Sequence, residues 1–213
     1  AYLDDYAFLM DGILALLEAR WRDGDLRYCL ELADVLLDAY EDREGGGFFF
    51  TAEDHEALIH RPKPLADESV PAGNGIAAFV LGRLGHLLGE PRYLDAVDRT
   101  LRAAWPAVTG LPYAHDSLLH AAEEHLYPPT TVILRGDAEA VTALARAAAP
   151  PYAPRRLILA IPEAARDLPG MLAAREATPG APVAYVCEGT RCGPPVAGAE
   201  AIKEALGAGA AGP

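Results

Sequence analysis

Long apolar runs are missing from this chain. None reaches the about 20 residues that a bilayer-crossing helix needs, and no charged-then-apolar leader opens it. Basic residues are also scarce. Lys and Arg total 18 against 31 Asp and Glu, for a net charge of −13. Nucleic-acid footprints are basic and clustered, and anionic membrane surfaces attract polybasic segments. Neither nucleic acid nor membrane is therefore an expected partner. Three cysteines in 213 residues do not build a disulfide scaffold, and a cytoplasmic location is the expectation. No phosphate-cradling glycine loop of P-loop or Rossmann type is present, nor a G-x-S-x-G nucleophile elbow. No cofactor and no metal are expected.

What the chain does have is apolar periodicity. It is 51% hydrophobic, enough to bury a core in one or two domains. Leu3, Ala7, Met10, Leu14 and Leu17 recur at helical spacing and predict a first helix over 3–21, with Asp4 and Asp5 in its first turn. Leu26, Cys29, Leu30, Ala33, Leu36, Leu37 and Tyr40 predict a second over 25–42, ended by Gly45, Gly46 and Gly47. Further helices are expected over 74–88, 91–107 (with Leu94, Val97, Leu101 and Trp105 inward) and 113–126, with Gly89 as a C-cap and Pro91 at a first helical position. After Pro128-Pro129 the pattern changes. Short β-type runs at 131–134, 157–161 and 183–186 alternate with helices over 138–149 and 198–207. Asp137 is the N-cap candidate of the first of these. The expected organisation is a helical-hairpin portion over 1–127, a small parallel α/β segment over 128–207, and a disordered tail over 208–213. The chain opens on Ala1 with Tyr2 already in helical pattern, which reads as a piece of a longer protein.

The connection 44–74 is the most informative stretch. A helical hairpin needs a few turn residues, whereas this link spends aromatic, acidic, basic and His residues. If the five helices alternate up and down, one end gathers Asp4, Asp5 and Tyr6, the whole 44–74 link, and Tyr113, His115 and Asp116. The other end receives only short turns. Long polar connections at one end mark where a ligand site is expected.

Individual residues there have two readings. Asp4 and Asp5 form either a carboxylate pair or ordinary helix N-terminal charges. Neighbours on a helix point about 100° apart, so only one can face a cavity; Asp5 is preferred. Asp54, His55 and Glu56 offer a general base or a metal ligand, or a solvated loop. Arg61 and Lys63 are candidates to bind an anion, or to pair with Glu53, Asp54 or Asp67. Asn74 is the expected N-cap of the third helix. Cys187 and Cys192 are half a zinc site at most, a small-loop disulfide, or two reduced thiols, the last being preferred. Cys29 sits on an apolar stripe and is expected in the core.

Taken together, Tyr2-Leu3-Asp4-Asp5-Tyr6-Ala7, Gly46-Gly47-Phe48-Phe49-Phe50-Thr51, Arg61-Pro62-Lys63 to Asp67, Pro71-Ala72-Gly73-Asn74 and Ala184-Tyr185-Val186-Cys187 with Cys192 occur in order over nearly the whole chain. They resemble the carboxy-terminal portion of the thioredoxin-domain-containing proteins related to spermatogenesis-associated protein 20 and bacterial YyaL. The resemblance implies a mainly α fold, part of an (α/α)6 barrel similar to N-acylglucosamine 2-epimerases and six-hairpin glycosidases, followed by the small α/β segment. It implies a sugar or sugar derivative as ligand and an amino-terminal thioredoxin-like domain as partner. The family's usual P-S-G-N-S is Pro71-Ala72-Gly73-Asn74-Gly75 here, without its hydroxyls. An epimerase-like reaction would use His55 or His115 as base. A glycosidase-like one would use Asp5 and Asp54 across the bond. Asp4, Tyr6, Phe49, Arg61, Lys63, Asp67 and Asn74 complete the expected binding set. A non-catalytic scaffold serving the thioredoxin-like domain is the alternative.

Overall fold

The computed structural model of the chain describes residues 1–56, 59–149 and 152–208. The chain is mostly helical, with a small strand-bearing segment after Pro128. It divides into two compact units. The first comprises Ala1–Leu14, Leu26–His86 and Glu90–Tyr127; the second comprises Ala15–Asp25, Leu87–Gly89 and Pro128–Pro213.

Five α-helices carry the helical part: α1 Leu3–Ala19, α2 Asp23–Val35, α3 Gly73–Leu88, α4 Pro91–Gly110 and α5 Asp116–Leu126. Their apolar stripes form the core, and Leu3, Ala7, Met10 and Leu17 of α1 are fully buried. In α2 the buried set is Leu26, Cys29, Leu32 and Ala33, with Leu30 half-buried. The helix then widens into a π turn over Leu36–Tyr40, in which the Glu41 N–H donates to the Leu36 carbonyl at 3.1 Å. Leu36, Leu37 and Tyr40 are all buried there.

Helix ends follow local chemistry in part. Gly89, at φ +67°, stops α3, and Pro91 opens α4 behind Glu90, whose side chain accepts the Arg92 N–H. Two expectations fail here. Trp105 is half-exposed, because Ala104 and Val108 take the inward positions on α4. The last helix of the set begins at Asp116 rather than 113, since Pro112–Ala114 wind as a 3₁₀ turn.

The second unit is built on strands β1 Thr130–Gly136, β2 Arg156–Pro162, β3 Val183–Glu188, β4 Arg191–Cys192 and β5 Val196–Ala197. Helices α6 Ala138–Ala148 and α7 Ala199–Ala208 accompany them. Asp137 caps α6, accepting the N–H groups of Glu139 and Ala140 at 3.0 and 3.1 Å. The strand order is β2-β1-β3-β4, with β5 also on β3. Val132, Leu134, Ile158 and Ala184 of the sheet bury against Val141 and Leu144 of α6 and Ile202 of α7.

The sheet is mixed, not parallel as expected. β1 and β2 run parallel across the α6 crossover, but β3 runs antiparallel to β1. A parallel return needs a crossover element of a dozen or more residues. Between β2 and β3 the only helical element is the 3₁₀ turn Gly170–Ala174.

The preference for reduced cysteines is also corrected. β3 and β4 form a tight antiparallel hairpin that sets Cys187 directly opposite Cys192, and the two are joined as a disulfide. Cys29 is the free, buried thiol. Of the expected disordered tail, residue 208 closes α7 and 209–213 lie outside the described residues.

Candidate functional site

Within the first unit, the connection from α2 to α3 is pinned at both ends. Glu41 and Phe48 form an antiparallel bridge around a turn with Gly46 and Gly47 at φ +75° and +78°. A Cβ on Gly46 would lie 2.4 Å from the Arg99 carbonyl oxygen, so only glycine fits. Glu41 is held from α4 by Arg99 through Nε at 3.0 Å and Nη2 at 2.5 Å.

The connection is then tied to α1, α3 and α5. The Leu3 N–H donates to the Phe50 carbonyl at 3.0 Å, and the Phe50 N–H to the Pro62 carbonyl at 2.8 Å. Asp67 accepts from the Ala72 N–H at 2.7 Å and from the Ser117 N–H and hydroxyl at 2.9 and 2.5 Å. One carboxylate thus joins the entries of α3 and α5. Burial works against its charge, but these donors outweigh it and hold the carboxyl below its usual range.

Several residues expected to bind a ligand are spent on this framework. Asn74 is not an N-cap. It is the second residue of α3, fully buried. Its Oδ1 accepts the Phe48 N–H at 2.7 Å, and its Nδ2 donates to the Phe48 and Pro64 carbonyls, each at 2.9 Å. A buried, fully engaged amide has no free face for a ligand. Lys63 donates to Asp42 at 2.7 Å and to the Gly46 carbonyl at 3.0 Å. That ammonium is the first cause that lowers the Asp42 carboxyl. His115 is buried, with Nδ1 2.8 Å from the Leu111 carbonyl. Phe49 gives a ring face to the Arg61 guanidinium, 4.1 Å from its centroid.

Two of the expected residues, His55 and Tyr6, meet aromatic neighbours. Tyr2 stacks on Phe50 with centroids 4.8 Å apart, and the His55 ring lies 6.2 Å from Tyr2. Tyr6 packs against Tyr40 at 5.3 Å. Burial, Tyr6, Asp54 and Asp5, in that order, push the Tyr40 phenol up to about 12, which puts both carboxylates in the field of one phenol. Asp5 itself is exposed and accepts the Tyr2 N–H at 2.8 Å, as the acidic third residue of a capping box does.

Asp4, not the preferred Asp5, is the inward carboxylate. It lies against the entry of α3, where a Cβ on Gly73 would stand 2.1 Å from Oδ1. Burial, then the charge of Asp5, raises its carboxyl above the usual range. Asp4 Oδ1, Thr51 Oγ1 and Arg61 Nε are buried with no hydrogen-bond partner among the described residues. The three share one neighbourhood. Asp4 and Thr51 follow the hydrogen-bonded pair Leu3 and Phe50, and Arg61 donates to the Thr51 carbonyl at 2.7 Å.

A second polar group in this unit escaped the sequence reading. Arg83 of α3 donates to Glu124 of α5 through Nε at 2.9 Å and Nη2 at 2.6 Å, with Glu124 buried. Its guanidinium lies 4.1 Å over the Phe79 ring, against which His120 also packs at 4.5 Å. Asp11 of α1 sits in the field of Arg83 and His120, yet burial dominates and raises its carboxyl. The available signal was a set of charged residues next to core positions: Asp11 beside Met10, Arg83 beside Leu84, Glu124 three residues after Ala121.

No family model matches the chain. Among curated proteins it is similar to spermatogenesis-associated protein 20 of Homo sapiens, 30% identical over 203 residues, covering 92% of this chain and 26% of that protein. Spermatogenesis-associated protein 20 of Rattus norvegicus is likewise 30% identical over 203 residues. An uncharacterized protein of Caenorhabditis elegans is 27% identical over 137 residues, or 64% of this chain and 18% of its own length. The chain therefore spans about a quarter of the length of the first of these relatives (26%).

Proposed function

We propose that the loop end of the helical unit binds a carbohydrate, as part of an epimerase-like or glycosidase-like site in a longer thioredoxin-domain-containing protein. The observation that carries this reading is the trio of buried polar atoms on Asp4, Thr51 and Arg61 that find no hydrogen-bond partner among the described residues, beside the stacked Tyr2 and Phe50 rings. A carboxylate, a hydroxyl and a guanidinium next to an aromatic surface suit a ligand with many hydroxyls and an apolar ring face.

Asp5 and Asp54 are the candidate carboxylates for glycoside chemistry. His55, half-exposed beside Tyr2, is the candidate base for an epimerase-like proton transfer. His115, buried against Leu111, suits that role less.

The scaffold reading has its own support. Asp42, Lys63, Asp67 and Asn74 are consumed by internal bonds, as expected of a loop that only needs to hold its shape. The discriminating experiment is a thermal-shift screen against free sugars and N-acyl sugars. The expected result is a saturable rise with one class, lost in Asp4→Asn and Tyr2→Ala. Turnover lost in His55→Ala, with the thermal shift retained, would assign the base. No shift with any sugar would overturn the carbohydrate reading in favour of the scaffold.

A further inference from the structure

The second unit contains a cleft of about 660 Å³ lined by Arg135, Arg166 and Arg175, together with Glu163, Asp167 and Glu176. It is separate from the residues of the carbohydrate reading and does not rest on it. Arg135 is 5% exposed at the end of β1. Its Nε donates to the Arg175 carbonyl at 2.9 Å, and its Nη1 donates to the Pro162 and Ile161 carbonyls at 2.7 and 3.3 Å. All three acceptors are neutral. Arg175 donates through Nη2 to Cys192 Sγ at 3.1 Å, and its Nε is buried with no partner among the described residues. Arg166 donates to the carbonyls of Glu163 and Ala165.

None of the three arginines makes an ion pair among the described residues, in a chain with 31 acidic and 18 basic groups. Glu163, Asp167 and Glu176 line the same cleft and still close no bridge. A buried guanidinium without a counter-charge is costly. Burial and the neighbouring Arg166 charge both press Arg135 towards its neutral form, against weaker support from Tyr185, Asp23 and Glu163. Asp167 stands at φ +55°, in the left-handed region, on the loop that carries Arg166.

The geometry points to an oxyanion site in this cleft that takes the phosphoryl group of a phosphate monoester. Arginine forks match phosphate and carboxylate oxygens alike, and the number of acceptor oxygens separates the two. A carboxylate offers two acceptor oxygens, whereas a phosphate monoester offers three, enough for one to meet each of the three guanidinium groups. Arg135, Arg166 and Arg175 would each offer guanidinium N–H groups to it, Arg166 from its exposed end.

The test is isothermal titration of the 213-residue chain with phenyl phosphate, inorganic phosphate and acetate, each against chloride of matched ionic strength. Arg166→Ala is the first variant, because that side chain is exposed and among the described residues bonds only to main chain. Arg175→Lys is the second; it keeps the charge and loses the fork. The expectation is saturable binding of phosphate, at least about tenfold weaker in each variant, with acetate weaker than both phosphate probes. Phenyl phosphate binding tighter than inorganic phosphate identifies an organic monoester; equal binding identifies free phosphate. No saturable binding, acetate binding as well as phosphate, or unchanged affinity in both variants would each overturn the proposal. If a variant fails to fold, ³¹P line broadening of phenyl phosphate on the unmodified chain takes its place: saturable broadening that acetate does not relieve supports the site, and none overturns it.

Discussion

Asn74→Ala should destabilise the helical unit by about 2–4 kcal/mol. The side chain is fully buried and satisfies the Phe48 N–H at 2.7 Å and the Phe48 and Pro64 carbonyls at 2.9 Å. Alanine leaves the Phe48 N–H unpaired in a residue that is itself fully buried. That orphan alone costs about 1–3 kcal/mol. The Phe48 carbonyl adds a smaller term, and Pro64 is half-exposed enough to turn to water. For a chain of this size each 1 kcal/mol moves Tm by about 2–4 °C, so the expected drop is roughly 5–15 °C. Asn74→Asp should not rescue it, because the group that replaces Nδ2 is an acceptor facing two carbonyl oxygens. The assay is thermal unfolding followed by circular dichroism, with Asp4→Asn as a comparison at the same end. Asp4 has a buried oxygen without a partner among the described residues and a raised carboxyl pKa, so its amide variant should lose little or no stability. An Asn74→Ala Tm within about 2 °C of the parent would refute the clamp and return Asn74 to the ligand-facing set.

The buried Arg83–Glu124 pair supplies a second test. Glu124→Gln should cost about 3 kcal/mol by leaving a largely buried guanidinium without its carboxylate, while the double change Arg83→Met, Glu124→Leu should recover most of that loss in chemical denaturation. A single variant as stable as the parent would show the pair to be energetically idle. Burial lowers the His86 pKa in the folded chain, and its Nδ1 has no partner among the described residues. Below about pH 6.5 the unfolded chain therefore takes up a proton that the fold resists, so this group's contribution is present at higher pH and lost as pH falls. The difference in stability between the parent and His86→Gln, measured from pH 7.5 to 5, should narrow or reverse on acidification; a constant difference would contradict it. Thiol titration in denaturant should find one reactive cysteine, Cys29, before reduction and three after it. Reduction should cost about 2 kcal/mol for so short a loop, and three free thiols at the outset would refute the closed pair.

Periodicity and punctuation were enough to read the helical stretches. Leu3, Ala7, Met10 and Leu17 repeat at the spacing of one helix face whatever they pack against, and Gly89 with Pro91 breaks α3 from α4 by backbone geometry alone. Asp137 could be named a cap because its partners, Glu139 and Ala140, are its own neighbours. The 44–74 connection was expected at the end that carries Asp4, Asp5 and Tyr6, and the structure sets its Phe50 against Leu3 and Tyr2.

What only the tertiary structure decided were roles that depend on distant partners. Asn74 reads as a cap until Phe48, 26 residues away, comes to occupy its amide. Arg83 and Glu124 are 41 residues apart, and nothing local links them. The choice between Asp4 and Asp5 turned on where Gly73 lies. The direction of β3, and with it the disulfide partner facing Cys187, was set by how the chain returns after β2. Local propensity acts through a residue's own backbone and its near neighbours, so one sequence carries it openly. The work of a buried polar group depends on which donors and acceptors the completed fold brings within hydrogen-bonding reach.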